Sequence, residues 1–268
     1  MGDQTAHLGA EPSQPVVRSA QPFVALGIVL LFGSFPVLPR GMVIVAAGAL
    51  ALLTAVDWFR RWVVVLPLGV FCCGCIALAL LGLPSQLWLA LGLATYAAVA
   101  WFGRGQRRAF NWFTAGTITR EVVLAAAASI LLSAVAVIIW FLTVRPDIND
   151  LIETFVPDWH WALLIAGGLL FSLWNAAVEE MAYRGVLMDA LDQSVGAGML
   201  SLLGQAAAFG VCHIIGFPRG WIGVGLAFIF GVLMGLIRRL SRGLLAAWAA
   251  HVCTDVVIVS IVLFFARA

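Results

Sequence analysis

Long apolar runs follow one another through this chain, and they fix its solvent before any single residue is considered. A stretch of roughly 17–25 apolar residues can cross a bilayer as a helix. Within hydrocarbon the backbone must satisfy its own hydrogen bonds, which a helix does internally. Such runs occupy residues 22–39, 41–57, 62–83, 86–102, 121–143, 161–190, 197–216, 221–237 and 243–265. The expected fold is therefore all-α, a polytopic transmembrane helical bundle of about eight or nine spans. The first two runs are short, and Pro36 and Pro39 close the first, so these two are expected to form a hairpin that need not cross completely. Charge agrees with the reading. Only 10% of residues are charged and the mean hydropathy is +1.06, against about 25% charged in a soluble domain. A net charge of +2 is too small to imply a nucleic-acid partner.

The loops carry the orientation. Arg60 and Arg61, then Arg104, Arg107 and Arg108, then Arg238, Arg239 and Arg242 fall in alternate loops, whereas the 144–160 loop holds Asp147, Asp150, Glu153 and Asp158 against Arg145 alone. Arginine-rich loops belong on the cytoplasmic side. Nine spans with a cytoplasmic amino terminus satisfy every loop at once. Residues 1–21 are polar and rich in Pro, Gln and Ser, and are read as a disordered tail. Residues 103–120 mix arginine with aromatic side chains, are too polar to span, and are read as an interfacial segment. That segment divides the amino-terminal spans, 22–120, whose role the sequence does not state, from a core at 121–268. The five cysteines lie in apolar runs and read as small buried hydrophobes. Gly231 and Gly235 have the G-x-x-x-G spacing of close helix packing. Trp159, Trp161 and Trp221 read as interface anchors with His160 at the surface, and Tyr183 as a packing residue with a wet hydroxyl.

An ionisable side chain at membrane depth costs on the order of 2.5–3.5 kcal/mol to insert and usually serves function. Six residues fit no loop: Glu179, Glu180 and Arg184 in the sixth run, His213 in the seventh, His251 and Asp255 in the ninth. Residues four apart share a helix face. Arg184 is thus expected to pair with Glu180 and leave Glu179 free, and Asp255 to orient or charge-stabilise His251. Glu179, Glu180 and His213 are each roughly 20–24 Å of helix from the turn near 194–197, so antiparallel neighbours would bring them to similar height. His251 is only about 12 Å from its own loop, a mismatch that tilt or a deeper-lying turn would absorb.

Peptide hydrolysis needs an activated water, a stabiliser for the oxyanion and a proton donor for the leaving amine. A glutamate base with histidine partners supplies these roles and requires no cofactor. The same donors, Glu179, His213, His251 and Asp255, could instead hold Zn²⁺, although the H-E-x-x-H motif is absent.

The order of these residues resembles a known family. Glu179-Glu180-Met181-Ala182-Tyr183-Arg184 matches the EExxxR signature of the CAAX-protease and bacteriocin-processing (CPBP, or Abi) membrane proteases. Phe209-Gly210-Val211-Cys212-His213 matches FxxxH, and His251-Val252-Cys253-Thr254-Asp255 matches HxxxN/D. The resemblance covers roughly residues 121–268. It implies a glutamate-dependent α-helical intramembrane endopeptidase in which Glu179 activates water, assisted by His213. His251 and Asp255 would stabilise the oxyanion, and Arg184 would support Glu180. Eukaryotic and archaeal CAAX-processing members carry Asn in the last position. A carboxylate there accepts hydrogen bonds, so orienting His251 or binding a metal suits Asp255 better.

The implied partners are membrane lipids and a membrane-associated protein or peptide, cleaved as a CAAX protein, a secreted peptide or a sorting tag. The implied location is the cell membrane, on composition a bacterial inner membrane. Two other classes stand beside this one: a non-catalytic membrane scaffold or immunity protein of the same fold, and a proton-coupled transporter.

Overall fold

A computed structural model describes residues 21–60, 65–102, 111–149, 152–153, 156–158 and 160–266. The tail up to residue 20, the first half of the expected interfacial segment (103–110), Asp150 and Trp159 lie outside the described residues. Among those described there are helices and no strand. The helices are α1 (Gln21–Ser34), α2 (Arg40–Arg60), α3 (Val65–Leu80), α4 (Ser85–Phe102), α5 (Arg120–Val144), α6 (Trp161–Val195), α7 (Met199–Cys212), α8 (Gly220–Ser241) and α9 (Leu245–Ala266).

Five of them, α4, α5, α6, α8 and α9, are long and apolar enough to cross a membrane. The other four runs form helices whose apolar stretches are shorter. Helices α1 and α7 have 14 residues each, about 21 Å of rise against a hydrocarbon core of about 30 Å. The all-helical membrane fold stands, with five clear spans where eight or nine were expected. For α1 the sequence gives the reason: the helix stops at Ser34 and a 3-10 turn, Phe35–Val37, carries Pro36, whose missing N–H and fixed φ end the regular ladder.

Local chemistry sets the other boundaries. Thr119 caps α5 by accepting from the Val122 amide, and His160 caps α6 by accepting from the Ala162 amide. Both satisfy amides that the first turn of a helix leaves without partners. Between α6 and α7 the chain turns through Gly196 at φ 89°, a conformation that costs a glycine little.

The packing does not stop at residue 121. Helix α1 lies against α7 and α4 against α6. A side chain at Gly33 would meet the Ala208 Cα at 2.6 Å, so α1 and α7 approach backbone to backbone. One apolar cluster runs from Ala25 and Phe32 through Phe71 and Trp88 to Tyr183, Phe209 and Leu244. Helix α5, by contrast, packs on α8 and α9, and its Leu131, Leu132, Ile139 and Leu142 face outward, as lipid contact requires.

Residues 111–117 bind the core closely. Leu244 and Leu245 donate their amides to the carbonyls of Thr114 and Ala115, and Thr117 donates to Ser241. The turn between α8 and α9 is thus partly covered by chain: Ser241, Gly243 and Leu244 are buried, while Arg242 and Leu245 stay exposed. Gly231 and Gly235 face Ala206, Leu202 and Gln205 of α7, as the G-x-x-x-G spacing implies. Trp161 and Trp221 are exposed, and so is His160. Two expectations need correction. Cys253 is exposed and Cys73 and Cys212 are half-buried, because helix faces, and not runs, decide burial. The Tyr183 hydroxyl is not wet: it is buried and donates to Cys212 Sγ at 3.1 Å.

Candidate active site

Helix α6 is 35 residues long, and Glu179 and Glu180 sit near its midpoint. From Met181 to Leu187 the winding is π-helical, a local form found often at functional sites. Gly185 lies within it because Trp112 packs there: a side chain at Gly185 would meet the indole Cε3 at 2.6 Å. Helix α9 approaches α6 closely too, since a side chain at Gly168 would meet Val259 Cγ1 at 2.6 Å.

The adjacent glutamates have different surroundings. Glu180 is 1% exposed. Its Oε1 lies 2.9 Å from Arg184 Nη1, an ion pair, and 2.7 Å from His251 Nδ1. A carboxylate accepts, so Nδ1 is the donor in that bond. Glu179 keeps a side chain 16% exposed, with Oε2 3.5 Å from His251 Nε2. The same Nε2 lies 3.5 Å from Asp255 Oδ1. His251 therefore meets Glu180 on one edge, and Glu179 and Asp255 on the other.

His213 is half-buried just past the last residue of α7. Its Nδ1 lies 3.0 Å from the Phe209 carbonyl oxygen. A carbonyl only accepts, so Nδ1 carries the hydrogen and Nε2 of the neutral ring is left as an acceptor. Phe209 is the hub of the assembly. Its ring lies 4.6 Å from that of His213 and 6.2 Å, edge-on, from His251. The Arg184 guanidinium carbon sits 4.6 Å over its face, a cation–π contact in a dry setting. Phe230 of α8 closes the other side of His251, edge to face at 4.9 Å.

All six candidate residues thus lie on α6, at the end of α7 and on α9, and the pairs Glu180–Arg184 and His251–Asp255 form as their spacing implies. The sequence did not point to the direct Glu180–His251 bond, nor to Asn175. Asn175 is buried and donates its Nδ2 to Asp255 Oδ2 at 3.0 Å. It stands four residues before Glu179 in an otherwise apolar run, and that spacing was the available signal. Gln86 of α4 in turn donates to Asn175 Oδ1 at 3.2 Å.

Among the described residues no group of three or more His, Cys, Asp or Glu side chains is disposed to hold a metal ion. His251 Nδ1 and Asp255 Oδ2 are held by Glu180 and Asn175, which leaves His251 Nε2 facing Glu179 Oε2 and Asp255 Oδ1.

With this geometry in view, the comparison with protein families is informative. Residues 160–257 match the family model described as type II CAAX prenyl endopeptidase Rce1-like. This is the family that the three motifs resemble. The match covers less than half of the chain but takes in every residue of the three motifs, while α1 to α5 lie outside it. No curated protein and no solved structure matches the chain.

Proposed function

We propose that the chain is a glutamate-dependent intramembrane endopeptidase that hydrolyses a peptide bond in a membrane-associated protein or peptide. The observation that carries this reading is the division between the two glutamates. Glu180 is committed to Arg184 and His251, whereas Glu179 keeps an accessible carboxylate beside His251 Nε2. The match to the prenyl endopeptidase model supports the reaction class.

Glu179 takes a proton from water, held also by the acceptor Nε2 of His213. The water oxygen bonds to the scissile carbonyl carbon, and the displaced electron pair moves to the carbonyl oxygen. With Nδ1–H given to Glu180, His251 carries a second hydrogen on Nε2 as the imidazolium, and that Nε2–H meets the oxyanion as a donor fixed in place before reaction. Collapse breaks the C–N bond, and the departing nitrogen takes the proton from Glu179. Asp255 and Glu180 orient the His251 ring from its two edges, which fits an aspartate in the third motif better than oxyanion donation does. Arg184 pairs with Glu180 and holds its carboxylate in place.

On the matched model's description, a prenylated CAAX protein is the first substrate class to try. The loop charges and composition support a bacterial inner membrane as its location, with a cytoplasmic amino terminus.

The test compares peptide termini in membrane and secreted fractions from cells carrying wild-type protein or Glu179→Gln at matched expression. Termini that vanish in the variant establish the endopeptidase and identify its substrate. Unchanged termini, with a defect still present in the deletion strain, would make a scaffold the better reading; loss of ion flux without a change in termini would favour a transporter.

A further inference from the structure

Gln86, Asn175 and Asp255 make a chain of side-chain hydrogen bonds that enters the site from the amino-terminal helices. Gln86 Nε2 donates to Asn175 Oδ1 at 3.2 Å, Asn175 Nδ2 donates to Asp255 Oδ2 at 3.0 Å, and Asp255 Oδ1 faces His251 Nε2 at 3.5 Å. The chain has one direction. A carboxylate accepts, so the Asn175 amide must turn its nitrogen to Asp255 and its oxygen away. The group meeting that oxygen must then donate, and Gln86 does. Asn175 and Asp255 are both buried, where a misdirected amide would leave polar groups without partners. Gln86 thereby anchors the amide in the orientation that Asp255 requires, and through it holds Asp255 Oδ1 against His251.

We propose that Gln86 is a positioning residue for this site, fixing Asp255 against His251 by way of Asn175. The inference rests on the endopeptidase reading for its kinetic consequence. It gives α4 a part in the chemistry although α4 lies outside the matched segment 160–257. Simple glue between α4 and α6 would use the same Gln86–Asn175 bond but would not reach His251, and that difference can be measured.

The experiment uses the full chain in lipid nanodiscs and a quenched peptide spanning a cleavage that Glu179→Gln abolishes in cells. Gln86→Met keeps the length and removes the donor; Gln86→Glu keeps the shape and presents an acceptor to Asn175 Oδ1. Gln86→Met should lower kcat about threefold to tenfold at unchanged KM, the worth of one hydrogen bond, and Gln86→Glu should lower it further. In an Asn175→Ala background Gln86→Met should add nothing, because the link is already cut. An unchanged kcat in Gln86→Met, or losses that multiply in the double variant, overturns the proposal. The ¹⁵N signals of the His251 ring, assigned by their loss in His251→Gln, give a readout independent of turnover. They should move in Gln86→Met, and signals that stay put refute the proposal. If no Glu179-dependent cleavage exists, the endopeptidase reading falls and the ring signals alone decide the positioning role.

Discussion

Glu180 and His251 lie 71 positions apart in the chain and share a 2.7 Å contact between Oε1 and Nδ1. That bond joins α6 to α9 at the middle of the longest helix and divides the labour of two adjacent glutamates. Arg184 and His251 both converge on the Glu180 Oε1. The carboxylate able to meet water is then its neighbour.

The two glutamates should respond differently to substitution. Glu179→Gln should abolish cleavage and leave thermal unfolding in detergent near wild type. Glu180→Ala strips a buried arginine and a histidine of their shared partner, and loss of one member of a buried pair costs about 3–5 kcal/mol. Its melting temperature should fall sharply. Removing both charges with Glu180→Gln and Arg184→Met together should recover much of that stability without restoring activity. Equal stability of the Glu179 and Glu180 single variants would contradict the assignment.

His213 has Nδ1 directed to the Phe209 carbonyl, which leaves Nε2 to accept from water. His213→Ala should reduce kcat by about 10²–10⁴-fold, the usual contribution of a positioned acid–base group, with KM little changed. A rise in KM at constant kcat would make His213 a substrate-binding residue.

Asp255 offers a graded test. In Asp255→Asn the new amide oxygen still accepts from Asn175, whereas Asp255→Ala leaves Asn175 with a buried unpaired donor. Loss of a hydrogen bond to a charged group is worth about 1.5–3 kcal/mol, or roughly tenfold to 150-fold. The alanine variant should lose activity in that range and the asparagine variant less. The reverse order in kcat would count against an orienting role.

Metal removal addresses the zinc alternative. Treatment of the purified protein with 1,10-phenanthroline should leave peptide cleavage unchanged, and elemental analysis should find well under one zinc per chain. Stoichiometric zinc together with chelator-sensitive cleavage would reassign Glu179, His213, His251 and Asp255 as ligands.

A fifth expectation concerns packing. Gly185 accepts the Trp112 ring face where a side chain would meet it at 2.6 Å. Gly185→Leu should therefore cost about 1–3 kcal/mol through overpacking, seen as a lower melting temperature that Trp112→Ala partly restores.

The helical membrane fold was legible in the sequence because apolar runs leave hydrocarbon as their only solvent, and the six site residues because charge is costly there. Spacing of four was enough to pair Glu180 with Arg184 and His251 with Asp255. Contacts between helices were less accessible. The Glu180–His251 bond depends on how α9 sits against α6, and the short rise from Arg242 to His251 counted against it until residues 111–117 proved to cover part of that turn. Gln86 and Asn175 carry no charge, so the criterion of charge at membrane depth passes over them, and Gln86 stands at the very start of its apolar run. Contacts across residue 121 were not legible either, since Gly33 on Ala208 is an encounter of small residues that no local pattern announces.

The π winding at Met181–Leu187 has a consequence for how the protein can vary. A π turn holds about one residue more than an α turn. Deleting a single residue there would let α6 wind regularly with both of its ends still in phase, Glu179 and Glu180 in place and Asp192 still 2.9 Å from Arg239 of α8. Deleting one from the regular winding between Met188 and Leu191 would instead swing everything beyond by about 100° about the axis and part Asp192 from its partner. The wide turn is thus a stretch of α6 that can absorb the loss of a residue without disturbing either neighbour.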